Sequence, residues 1–106
     1  MHNIRLTQKY IDVIQNTFKT HFLRDDTLWL FGSRVDLNKK GGDIDLYIET
    51  HFLTAREVLN AKSRFKRAMI YALGDQKIDI VLNCLNVGKT NLPIYTVART
   101  EGVRLV

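Results

Sequence analysis

The chain has 106 residues, 45% hydrophobic and 25% charged, and no apolar run reaches the roughly 18 to 20 residues that a membrane helix needs. That fits one globular domain over residues 1–106 and speaks against a disordered or membrane-spanning chain. The net charge of +5 is uneven: residues 1–53 hold seven basic and seven acidic side chains, residues 54–106 nine and four.

The N-terminal MHNIRLTQKY lacks the apolar stretch of a secretory signal, so a cytoplasmic location is expected. From Thr7 to Phe22 the apolar residues Tyr10, Ile11, Ile14, Phe18 and Phe22 recur three or four apart, which predicts an amphipathic helix with Thr7 as its cap. Arg24-Asp25-Asp26 then reads as a polar break. Thr27 to Phe31 is a short β-forming run that stops at Gly32, a buried strand ending in a turn. On that strand Trp29 is expected in the core. Residues 32–42 contain three glycines and four charges, which predicts a loop or an irregular turn.

Asp43 to Glu49 alternates strictly, with Ile44, Leu46 and Ile48 on one face and Asp43, Asp45 and Tyr47 on the other. This predicts a half-buried strand with two carboxylates on its polar side. Thr54-Ala55-Arg56-Glu57 has the capping-box pattern and opens a helix whose stripe runs through Val58, Ala61, Phe65, Met69 and Leu73 to a stop at Gly74. Arg56, Lys62, Arg64, Lys66 and Arg67 on this helix read as a solvated face, with a nucleic-acid surface as the alternative. Ile78 to Leu82 is a third strand, with Asp79 and Val81 opposite the Ile78, Ile80 and Leu82 face. A last helix opens at Pro93, packs through Ile94, Val97 and Ala98, and ends at Gly102. The element order is α-β-β-α-β-α. Cys84 stands alone, so it forms no internal disulfide and is expected to be an inert thiol. His2, His21 and His51 have no mutual spacing for a metal or a triad and are expected at the surface.

Aspartate is depleted in strands, yet Asp43, Asp45 and Asp79 all fall on predicted ones. Residues two apart on a strand share a face at about 6.6 Å, so Asp43 and Asp45 can aim at one point, and Asp79 joins them if its strand is adjacent and in register. Two carboxylates at about 4 Å repel by roughly 4 kcal/mol at an effective dielectric near 20, so such a cluster wants protons or a divalent cation. All-carboxylate ligation selects Mg²⁺ or Mn²⁺, and Mg²⁺ usually shares its shell with nucleotide phosphates. Gly32 and Ser33, at a strand end, offer bare N–H groups and a hydroxyl to an anion.

Together Leu30-Phe31-Gly32-Ser33-Arg34, Asp43-Ile44-Asp45-Leu46 and Lys77-Ile78-Asp79-Ile80-Val81 resemble the minimal nucleotidyltransferase (MNT) family of the DNA polymerase beta superfamily. The resemblance covers nearly the whole chain, through Glu101-Gly102-Val103-Arg104-Leu105. Nine residues, Arg34 to Gly42, separate Gly-Ser from Asp-x-Asp, one fewer than is common in the family. It implies an α/β (α+β) fold, a small mixed sheet backed by helices, and nucleotidyl transfer from ATP or another NTP to a hydroxyl. Asp43, Asp45 and Asp79 would be the catalytic and metal-binding residues, with Mg²⁺ or Mn²⁺ as cofactor, and Gly32, Ser33 and Arg34 would hold the nucleotide. Lys39 and Lys40 would either assist or remain solvated. The family often supplies the antitoxin of a toxin–antitoxin pair, some members adenylylating a tyrosine of a helical HEPN-type partner. A non-catalytic antitoxin that covers its partner and a basic nucleic-acid-binding module are the competing readings. Homo-oligomerisation is left open.

Overall fold

The computed structural model describes residues 6–32, 43–87 and 91–106. Its elements are α1 (Gln8–His21), β1 (Thr27–Phe31), β2 (Ile44–Thr50), α2 (Ala55–Leu73), β3 (Ile78–Cys84), α3 (Pro93–Glu101) and β4 (Val103–Arg104). The strands form one mixed sheet in the order β3-β2-β1-β4, with β2 parallel to β3 and β1 antiparallel to both β2 and β4. The α+β class and the expected element order hold. The addition is β4, two residues pairing with Trp29 and Leu30, a strand too short to leave a periodic signal.

Both long helices begin where the sequence places their caps. The Thr7 hydroxyl accepts from the Tyr10 backbone N–H at 3.3 Å, and the Thr54 hydroxyl accepts from Glu57 N–H at 3.2 Å while donating to the Glu57 carboxylate at 2.9 Å. At the far end of α2, Gly74 has φ +87°, a conformation that L side chains rarely adopt. The apolar stripes of α1 and α2 cover one sheet face. Ile14, Phe18, Phe65 and Met69 pack there on Leu28, Leu30, Ile44, Leu46 and Ile48, and burial of each such side chain contributes about 1.5–3 kcal/mol. Phe18 and Phe22 stack at 4.8 Å, and Phe65 meets both edge-on at 5.8 and 5.7 Å, which locks the two helices together.

The opposite face differs from the expectation of a polar surface. Tyr47 is completely buried there, because α3 lies across it and sets Tyr95 and Ala98 on its ring. Its hydroxyl donates to Glu49 at 2.7 Å and accepts from Asn83 at 3.0 Å, which offsets the desolvation of a buried phenol. Burial pushes the Tyr47 phenol up to about 12, the Asn83 bond opposing and Glu49 adding to the rise. Tyr95 governs the roll of α3: its hydroxyl donates to Leu82 O at 3.0 Å, so Tyr95 and Ala98 face inward while Ile94 and Val97, expected to pack, remain exposed. Trp29 is only half-buried, against Tyr47 at 5.4 Å and beneath the Arg104 guanidinium at 5.7 Å.

The expected polar break is also corrected at Asp26, which is 2% exposed. Its carboxylate accepts from Thr50 Oγ1 at 2.7 Å, His51 N at 2.8 Å and Leu23 N at 3.0 Å, and lies 2.9 Å from His51 Nδ1. These bonds tie the end of α1 to the end of β2. Asp26→Ala leaves the buried Thr50 hydroxyl and two backbone N–H groups without that acceptor, so urea denaturation is expected to show a loss of about 3 kcal/mol, against about 1 kcal/mol for Asp26→Asn.

Candidate metal centre

Two local patterns and one register bring the acidic residues together. Alternation on β2 sends Asp45 to the α3 side of the sheet, with Asp43 one step before the strand on the same side. On β3, Asp79 points the same way. The parallel register sets Ile44 beside Ile78 and Asp45 beside Asp79, so the third carboxylate meets the first two. One oxygen from each of Asp43, Asp45 and Asp79 lies within 4.8 Å of the others, the only such group of potential metal ligands among the described residues. Asp43 and Asp45 are half-buried, whereas Asp79, on the outer strand, is exposed. Because α3 covers the sheet at Tyr47, the cluster lies, among the described residues, beyond the part of this face that α3 covers and beside the end of β1.

Gly32 closes that side. Phe31 pairs with Asp45, and Gly32 follows with φ +77°, so close that a Cβ there would collide with Asp45 Oδ2. Both the backbone conformation and the nearness of the carboxylate therefore require glycine. The collision would be with the tip of a flexible side chain, so a substitution would displace Asp45 more readily than it would disrupt the sheet.

Among the described residues, Lys77 is the cation whose charge acts on the cluster. Burial, then the charges of Asp79 and Asp43, raises the Asp45 carboxyl above the ordinary carboxylate value, with Lys77 acting the other way. Extending the β2–β3 register by one residue places Lys77 beside Asp43, where its ammonium lies 3.3 Å from Oδ2. That bond, reinforced by the Asp43 and Asp79 charges, raises the Lys77 pKa. Lys77 is 73% exposed, so it screens the cluster without closing it. Unit charges about 4.8 Å apart at a dielectric near 20 repel by roughly 3.5 kcal/mol, which water at exposed Asp79 reduces to about 1 kcal/mol. Three hard oxygen donors in mutual repulsion, open on one side, suit Mg²⁺ or Mn²⁺.

Of the expected nucleotide-binding residues, Gly32 lies against the cluster, whereas Ser33 and Arg34 fall outside the described residues, as do Lys39 and Lys40. Lys77 was given no role by the sequence reading, although Lys77-Ile78-Asp79 places it two residues from a carboxylate and hence on the same face. The α2 cations do not form one stripe: Arg56, Arg64 and Arg67 are exposed and Lys62 and Lys66 half-buried, as a solvated face requires. His21 Nδ1 lies 2.8 Å from Thr17 O at the end of α1, and Cys84 is half-buried with its thiol pKa raised by that burial, as an inert group would be. Among the described residues no helix is long and apolar enough to cross a membrane. No protein-family model matches the chain, and no curated protein matches its sequence.

The charge balance fixes the sign of a pH effect. Since the folded state holds the Asp45 proton more tightly than the unfolded chain does, ionising Asp45 costs stability as pH rises through its raised pKa, and the cost is relieved at lower pH. Asp45→Asn should therefore stabilise the cation-free protein at neutral pH by about 1 kcal/mol or less and flatten this part of the stability–pH curve. Thermal melts with added Mn²⁺ should raise the Tm of the wild type and leave that of Asp45→Asn nearly unchanged, with Gly32→Ala intermediate. Equal Mn²⁺ shifts in all three proteins would remove Asp45 from the ligand set.

Proposed function

We propose that the chain is a divalent-cation-dependent nucleotidyltransferase that moves a nucleotidyl group, AMP when ATP is the donor, onto an acceptor hydroxyl. The observation that carries this reading is Asp45 beside Asp79 in register with Asp43 in reach, backed by a glycine that no other residue can replace without moving Asp45. In this reading Asp43, Asp45 and Asp79 hold Mg²⁺ or Mn²⁺. When bound, the cation neutralises triphosphate charge and lowers the pKa of the acceptor hydroxyl.

The chain's own groups supply positioning and a proton acceptor. Asp79, the exposed member of the cluster, is placed to take the acceptor proton as the hydroxyl oxygen bonds to the α-phosphorus. The α–β phosphoanhydride bond breaks and pyrophosphate leaves. Gly32 lets backbone approach the phosphates closely, Ser33 offers its hydroxyl to the leaving pyrophosphate, and Arg34 is assigned to the nucleotide by the family resemblance. Lys77 balances Asp43 before substrate enters and offers its ammonium to a phosphate oxygen afterwards.

The acceptor we favour is a tyrosine of a HEPN-type partner, which makes the chain the antitoxin of a cytoplasmic toxin–antitoxin pair. That acceptor is what the family resemblance implies. One observation favours a second reading: Leu92, Ile94 and Val97 expose an apolar patch around α3, which suits a protein that neutralises a partner simply by covering it.

Label transfer from α-labelled ATP to the co-purified partner separates the two. Asp43→Asn combined with Asp45→Asn is expected to lower transfer at least about 100-fold while leaving partner binding intact. Transfer undiminished by the double variant would sink the enzymatic reading. Full neutralisation of a co-expressed partner by the same variant would favour the covering one.

A further inference from the structure

The two edges of the sheet are built differently. β4 closes one edge with two residues, whereas β3 forms the other with seven, Ile78–Cys84, containing no Lys, Arg or Pro. Proteins normally shorten, charge or cover an edge of that length, because its outer row of N–H and C=O groups is a template for another strand. The row can be identified. Ile44 N donates to Lys77 O and Leu85 N to Thr50 O, both at 3.1 Å, so the odd-numbered residues of β3 turn their backbone groups to β2. Ile78, Ile80, Leu82 and Cys84 therefore turn theirs outward. Among the described residues, the side chain that reaches this row is Tyr95, through its hydroxyl on Leu82 O. The stretch it leaves, from Ile78 to Ile80, flanks Asp79.

On the α2 side of this edge the charge has one sign, whereas the opposite side carries Asp79 and its neighbours Asp43 and Asp45. Helix α2 turns Val58, Ala61 and Phe65 to the sheet and Asn60 and Arg64 to a cleft of about 270 Å³ beside α1. At 100° per residue its other flank, on the side where it touches β3, carries Leu59, Lys62 and Lys66. Lys77 stands at the start of the strand. A second copy of the chain paired edge to edge would bring Lys62 and Lys66 of both copies onto the same side of the seam, whereas an acidic strand would meet them with opposite charge.

We propose that the outer edge of β3 docks an extended acidic polypeptide segment, which adds to the sheet as a fifth strand and carries its hydroxyl side chain to Asp79. The inference rests on the nucleotidyltransferase reading for the use of that hydroxyl, but the docking itself needs only the edge and the lysines. Backbone hydrogen bonds supply affinity, and alternate side chains of the segment fall on the Asp79 face, so an acceptor hydroxyl is presented by register rather than by a dedicated pocket. The exposure of Asp79, against the half-burial of Asp43 and Asp45, leaves the cluster open on this side.

The test uses the whole chain and a short synthetic peptide alternating Glu and Val around one Tyr, titrated by calorimetry. Methylating the peptide's alternate backbone nitrogens should weaken binding about tenfold when they are those facing β3 and little when they are the others. Replacing Glu by Lys in the peptide, or Lys62→Glu with Lys66→Glu in the protein, should weaken it by a similar factor. Ile80→Pro removes one outward N–H and no β2–β3 bond, so it should impair peptide binding while leaving affinity for Mn²⁺ and ATP unchanged. No binding of the acidic peptide, equal binding of both methylated forms, or self-association that Ile80→Pro abolishes would overturn the proposal. Nucleotide affinity on the same samples keeps the two ideas apart. A docked peptide without ATP binding would sink the transferase reading alone, and ATP binding without docking would sink this one alone.

Discussion

Asp45 stands beside Asp79 because β2 and β3 run parallel with Ile44 next to Ile78, and nearly everything else depends on that register. A slip of one residue would set Asp45 against Ile78 or Ile80, and would turn one strand's apolar set away from the helices. The Ile44, Leu46, Ile48 and Ile78 side chains under α1 and α2 therefore fix the position of carboxylates they never touch. Since parallel neighbours need a long crossover, α2 is at once the connection and the cover of that face. The hydrophobic core and the acidic cluster are two faces of one pairing.

That arrangement opposes itself electrostatically. Burial and two neighbouring charges raise the Asp45 carboxyl, so the fold holds ionised groups together against their repulsion, and the core supplies the free energy that offsets it. Lys77 relieves the strain only in part, since an exposed ammonium contributes little through a single contact. Aspartate is depleted in strands, yet Asp45 and Asp79 lie on neighbouring ones with Asp43 one step before β2. The polar groups at the other end of the same face are treated differently: the Tyr47 hydroxyl meets Glu49 and Asn83, and Arg99 lies 3.1 Å from Glu49, so charge is matched there. That contrast within one sheet face is what makes the end bearing the carboxylates a candidate site.

The sequence carried most of this because its strongest signals were periodic. Alternation over Asp43 to Glu49 and the stripe from Val58 to Met69 predicted the strand, the helix and the faces they bury. Asp79 was legible as a third carboxylate, but its closeness depended on strand order, which periodicity does not contain. What escaped was decided by single contacts between distant residues. Asp26 looks like a turn residue until Thr50 and His51 close around it, and Tyr47 looks like part of a wet face until Tyr95 lies on it. The roll of α3 was missed for the same reason: Ile94 and Val97 are more apolar than Tyr95, yet the hydroxyl bond to Leu82 O and the stacking on Tyr47 favour the tyrosine inside. Hydrophobicity ranks residues one at a time, whereas this helix is oriented by a pair.

Net charge was the least informative number, since its sign is opposite to that of the site. The excess of basic residues lies in the second half of the chain, and part of it falls along α2, over the sheet face that the carboxylates do not occupy. Separating the two signs across the sheet has a physical consequence. Further lysines beside Lys77 among Asp43, Asp45 and Asp79 would neutralise the repulsion that favours a cation, whereas lysines on the α2 side of the β3 edge act on whatever approaches from outside. The sheet stands between the two signs and keeps the α2 lysines from pairing with the carboxylates, so one small domain presents acidic groups on one face and basic groups over the other without either cancelling the other.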